Sequence, residues 1–216
     1  MGIQLIGNGG VVADVNSERA LQSVVVPPAG TYYAAASKTG TIAAAAAAGA
    51  AVFTMRLNPS YGGKLYLDRI RLRWTTIVAF TTAVTQTRSI VLTRGTGAAA
   101  SGGTSMATAV KMDTTYAASQ TDVATGGDVR IATTGALTVT GITWEAQNII
   151  EATLAHVGAA GNYYEELIDL SQSRGHPIEL NPGELIGVRV GASAMDAAGT
   201  WSLGVNVKWR ESTTEA

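Results

Sequence analysis

The sequence predicts an all-β protein: an antiparallel β-sandwich of jelly-roll type preceded by an extended N-terminal arm. Three observations carry that prediction. From Trp201 to Arg210, Trp201, Leu203, Val205, Val207 and Trp209 alternate with Ser202, Gly204, Asn206, Lys208 and Arg210. Successive side chains leave a strand on opposite sides, so this is the period of a half-buried strand. A second apolar run, Leu185 to Val190, follows the turn Asn181-Pro182-Gly183, and proline-glycine punctuation of this kind separates antiparallel neighbours. Further short runs of the same kind, spaced by turn residues and without a fixed repeat, complete the sandwich pattern.

Taken in order, residues 1–30 read as the arm and residues 31–216 as one sandwich domain. Gly7-Asn8-Gly9-Gly10 is a turn, Leu21 to Val26 a short strand, and Pro27-Pro28 stiffens the exit. Two readings of the arm stay open, an ordinary first strand or a segment lying on a neighbouring subunit. The alanine tract Ala43 to Ala48 favours helix by propensity, but its glycine and threonine flanks favour a loop feeding a strand at Val52–Leu57. Leu67 to Trp74 is a strand with Ile70, Leu72 and Trp74 on one face and Arg69, Arg71 and Arg73 on the other. Another strand ends in Ile90–Arg94. Residues 95–128 read as a long Gly/Ala/Ser/Thr-rich loop with short strands, and loops of that length are commonly functional. Two short strands are expected at Val129–Ala132 and Leu137–Thr140. Residues 144–170 fit either a strand or a helix, because Ile150, Leu154 and Val157 have helical spacing.

Composition narrows the function classes. The chain has 216 residues, enough for a sizeable core, with 46% hydrophobic and only 14% charged residues. Net charge is −1, so no overall field favours sequence-specific nucleic acid or an acidic membrane. Cysteine is absent, which excludes disulfides and thiolate metal sites. The small-apolar run Ile42 to Phe53 is too short to span a bilayer, and the expectation is a soluble protein assembled in the cytoplasm.

No catalytic residue, metal site or cofactor is expected. His156 and His176 lack a second ligand at metal spacing and read as surface or packing residues. The sequence has no Gly-x-Ser-x-Gly elbow and no phosphate loop. Glu165, Glu166 and Asp169, beside Tyr163-Tyr164, admit a carboxylate-pair reading of glycosidase type; a solvated loop is the simpler account.

Charge segregation is the feature that rises above background. Between Arg56 and Arg94 there are seven basic residues and one acid, Asp68; between Glu145 and Leu170 there are five acids and no Lys or Arg. The two sets either pair within one subunit or meet a partner, where complementarity sets register and partner choice. The expected partner-binding residues are Arg69, Arg71 and Arg73 on one side and Glu165, Glu166 and Asp169 on the other. An acidic polymer is a third possible partner, although no aromatics interleave with the arginines as a single-strand stacking site requires.

Three stretches carry a resemblance: Gly7 to Val15, Thr39 to Ala44, and Gly199 to Trp209. Together they resemble small virion structural proteins of tailed bacteriophages. The resemblance implies a β-sandwich located in the virion, most simply a capsid decoration (cement) protein. Its partners would be the major capsid protein, copies of itself in a homo-oligomer such as a trimer, or both. The alternative it implies is a tail or head-fibre component that binds a receptor or glycan.

Overall fold

A computed structural model describes residues 5–6, 12–15, 21–23, 30–42, 45–80, 88–154, 158–169, 178–196 and 198–213. The chain divides into two compact units, Met1–Ala29 and the unit that begins at Gly30 and runs to Glu215. In the first, β1 (Leu5–Ile6), β2 (Val12–Val15) and β3 (Leu21–Ser23) form a three-stranded antiparallel sheet. The expected arm therefore carries strands that satisfy one another's backbone groups.

The second unit holds β4 (Thr31–Lys38), β5 (Ala51–Arg56), β6 (Lys64–Val78), β7 (Ser89–Gly97), β8 (Thr104–Ser105), β9 (Val110–Lys111) and β10 (Asp128–Ile131). It continues with β11 (Ile142–Trp144), β12 (Ile150–Thr153), β13 (Tyr163–Asp169), β14 (Ile178–Leu180), β15 (Glu184–Val190) and β16 (Thr200–Ser212). One sheet runs β11-β7-β15-β5-β10-β8, with β12 also paired to β7; the other runs β13-β6-β16-β4-β9, with β14 also paired to β6. Every pairing is antiparallel. The two sheets pack face to face, so the expected all-β antiparallel sandwich is the observed architecture.

The core is where the alternation pattern placed it. Trp201, Leu203, Val205, Val207 and Trp209 are all buried, and they pack with Trp74, Ile70 and Leu72 of β6 against Phe53, Met55, Ile186 and Val188 of the other sheet. Trp74 and Trp201 stack with ring centroids 4.1 Å apart, a contact worth about 0.5–1.5 kcal/mol beyond burial. Each fully buried aliphatic side chain adds roughly 1.5–3 kcal/mol. The polar side of β16 is less uniform than expected: Asn206 is exposed, but Ser202 and Arg210 are buried.

A β-bulge explains a parity conflict in β6. Leu65 and Leu67 are buried at odd positions, whereas Ile70, Leu72 and Trp74 are buried at even ones. Opposite β16, Trp209 pairs with Leu67 and Lys208 with Arg69, so Asp68 is the extra residue. A bulge inserts one residue and re-aims everything beyond it, which brings both sets of leucines and isoleucine to the same core. At the bulge the Arg210 guanidinium lies 4.0 Å over the Tyr66 ring and 3.9 Å from the Asp68 carboxylate.

Elsewhere the elements shift. The strand after the alanine tract runs Ala51–Arg56, preceded by a turn at residues 48–49. The expected strand at Leu137–Thr140 is only an isolated bridge between Thr138 and Ser101, because the Leu137 amide is drawn instead to the Ala51 carbonyl at 2.8 Å. The ambiguous stretch is β12 and β13, with Ala152 and Leu154 buried; Val157 lies outside the described residues.

Candidate interaction face

β6 lies between β13 and β16, and that position fixes the arginine ladder. Across β16, Arg69 stands opposite Lys208, Arg71 opposite Asn206 and Arg73 opposite Gly204. One strand further, Lys208 stands opposite Ala34, Asn206 opposite Ala36 and Gly204 opposite Lys38. With the core side of these strands taken by Ile70, Leu72, Trp74, Val205 and Val207, the ladder lies on the solvent side. Arg71, Arg73, Asn206, Ala36 and Lys38 are exposed, and Arg69, Lys208 and Ala34 half-buried. The face therefore carries Arg69, Arg71, Arg73, Lys208 and Lys38 around Asn206, with Gly204, Ala34 and Ala36 as its small residues.

The acidic segment lies beside this grid. In β13, Glu165 pairs in register with Arg73 and Asp169 with Arg69. The Glu165 carboxylate reaches diagonally to Arg71, Nε to Oε1 3.1 Å, with 51% and 38% of the two side chains exposed. An ion pair that open to water is worth roughly 0–1 kcal/mol. Arg73 instead covers the Tyr163 ring at 5.6 Å, about 0.5–1 kcal/mol at an exposed site. Glu166 stands opposite Leu72 in the register. The side chains of Glu166 and Asp169, and the whole of His156 and His176, lie outside what the structure describes. Among the described residues, no group of three or more His, Asp or Glu side chains gathers in metal-binding range.

The outer face of the other sheet is occupied by the chain itself. The Trp144 ring lies across β7 and β15, where a Cβ on Gly187 would meet the ring at 2.4 Å and one on Gly95 at 2.9 Å. Arg189 stacks on the same ring at 4.6 Å and donates from Nε to the Gly49 carbonyl at 2.9 Å. Its burial lowers its pKa from the usual arginine value. Thr93 Oγ1 donates to Asn148 Oδ1 at 2.9 Å. Beneath this cover Thr54, Thr93 and Leu185 are almost fully buried on the outer side of their sheet.

Glu211, which the sequence did not single out, ties the long loop down. Its carboxylate accepts from Ser119 Oγ at 2.5 Å, the Gln120 amide at 2.9 Å and Trp209 Nε1 at 3.0 Å. Burial raises the Glu211 pKa, opposed by those hydrogen bonds. A cleft of about 280 Å³ opens nearby, lined by Tyr61, Lys64, Tyr66, Asn181 and Ser212 among others.

No family model matches this chain, and no curated protein matches it.

Proposed function

We propose that this chain is a non-enzymatic structural protein of a bacteriophage particle. It decorates the outer head shell and stabilises it through contacts with the major capsid protein or with copies of itself. The observation that carries this reading is the uncovered, register-fixed cationic face of β4, β16 and β6. A rigid sheet holding Arg71, Arg73 and Lys38 in fixed positions suits a contact repeated by symmetry, in which many weak interactions add.

Strand order supports the same reading. Numbered one to eight along the chain, β4, β5, β6, β7, β12, β13, β15 and β16 lie in the orders 1-8-3-6 and 2-7-4-5. We read that order as the jelly-roll arrangement, an architecture used by viral capsid and lectin domains. The test is the copy number and position of the protein in purified particles, by quantitative mass spectrometry and electron cryo-microscopy. Shell occupancy comparable to the main capsid subunit is expected; absence from particles contradicts the proposal.

One observation favours a second reading, a tail or head-fibre component that binds glycan. The cleft beside Tyr61 and Tyr66 mixes aromatic faces with Asn181, Lys64 and Ser212, the combination of apolar wall and few polar groups that orients small ligands. Binding to purified bacterial surface polysaccharide, lost on Tyr61→Ala, would favour it.

A further inference from the structure

We infer that the exposed face of β4, β16 and β6 docks an acidic, extended segment of a partner protein, with carboxylates at alternate residues. The inference rests on the proposed partner-binding role and adds the chemistry of the partner.

Spacing is the first argument. Arg69, Arg71 and Arg73 occupy alternate positions of one strand, so their Cα atoms repeat every ~6.6 Å, twice the rise per residue. An extended segment with an acid at every second position repeats at the same interval. Carboxylates are also the groups that the planar, forked guanidinium binds best in pairs of hydrogen bonds.

The molecule already contains one such contact. Glu165, on the adjacent strand, reaches Arg71 at 3.1 Å. Among the described side chains no ion pair engages Arg69, Arg73, Lys38 or Lys208, and the backbone of Asp169 stands in register with Arg69. The relief of the face supplies the second argument. Gly204 lies between Arg73 and Lys38, and further along the face Asn206 stands between Arg71 and Ala36 and Lys208 between Arg69 and Ala34. A backbone can approach closely over Gly204, where only Arg73 atoms come near, and Asn206 beside it offers an amide to that backbone. At the end of the ladder, Ile77 and Tyr163 are 42% and 66% exposed, and they give a protein partner an apolar anchor. Nucleic acid fits less well, because no aromatic side chain alternates with the arginines to stack bases.

The test uses the purified full-length protein and three fluorescent probes: a short peptide alternating Glu and Thr, an isomer of it with the acids in one block, and oligothymidylate of equal charge. The alternating peptide should bind most tightly and weaken as salt rises. Arg71→Glu/Arg73→Glu should weaken it on the order of tenfold or more. Arg56→Glu/Arg94→Glu, on the other sheet and with the same net-charge change, should leave it within about twofold. Near-ultraviolet circular dichroism of each variant checks that the tryptophan core is intact. Tighter binding of the blocked isomer or of oligothymidylate, no binding of the alternating peptide, or equal weakening by the two double variants overturns the inference. Those outcomes leave particle occupancy untouched, and absence from particles leaves peptide binding untouched, so the two failures are distinguishable.

Discussion

The two outer faces of the sandwich are built from similar strands and finished differently. On the β7–β15–β5 sheet the chain returns over its own surface: Trp144 lies across Gly187 and Gly95, Arg189 covers the ring, and Asn148 bonds Thr93. On the β6–β16–β4 sheet, Arg71, Arg73, Asn206, Ala36 and Lys38 stay exposed. Glycine serves opposite ends in the two places. At Gly187 it makes room for the chain's own indole, whereas at Gly204 only Arg73 atoms come near, at 3.7 Å or more. The contrast teaches that covering a sheet was within this chain's means, so the open face is the one to examine for contacts with other molecules.

The largest expected effect breaks the shared core and with it both faces. Leu203 is fully buried, and Leu203→Asp places an unpaired charge there, costing more than about 4 kcal/mol; thermal melting should show no cooperative unfolding. Next, Gly187→Ala should lift Trp144 from the covered face. Its Cβ has only 2.4 Å to the ring, and overpacking of this kind costs about 1–3 kcal/mol. Tryptophan fluorescence should report increased solvent exposure while the sandwich persists.

Glu211 offers a third, pH-dependent test. Glu211→Ala leaves Trp209 Nε1 and the Gln120 amide without their acceptor, a loss of about 1–3 kcal/mol, and hydrogen exchange at residues 119–122 should accelerate. Because burial raises the folded-state pKa above the ordinary 4.5, the folded form holds this proton more tightly than the unfolded one. The linked stability is complete below about pH 4.5 and is lost as pH rises through the raised value. Asp128, raised by burial despite Arg130, acts with the same sign. Melting temperature against pH should therefore slope less in Glu211→Gln than in the parent chain over that window. The smallest effect on stability is expected from Arg71→Glu/Arg73→Glu, about 1 kcal/mol or less, while attachment to the partner is lost; binding and melting measured together separate the two.

Much of the covered and open faces was legible where alternation is local. β16 and the even positions of β6 follow directly from period two, and the arginine ladder follows from the same reading. The bulge at Asp68 left a signal, the switch from odd Leu65 and Leu67 to even Ile70 and Leu72, but its partner strand lies more than a hundred residues away. Glu211 and Ser119 are 92 positions apart, and Trp144 meets Gly187 only through strand order. Contacts of that range depend on topology, which side-chain periodicity does not encode.

The most direct measurement is an electron cryo-microscopy reconstruction of the assembled particle, fine enough to identify which face of the sandwich meets its neighbour. Partner density is expected over Arg71, Arg73, Asn206 and Lys38, with Trp144 and its sheet turned to solvent. A particle in which the arginine face is open to solvent and the Trp144 face makes the contact would contradict that expectation.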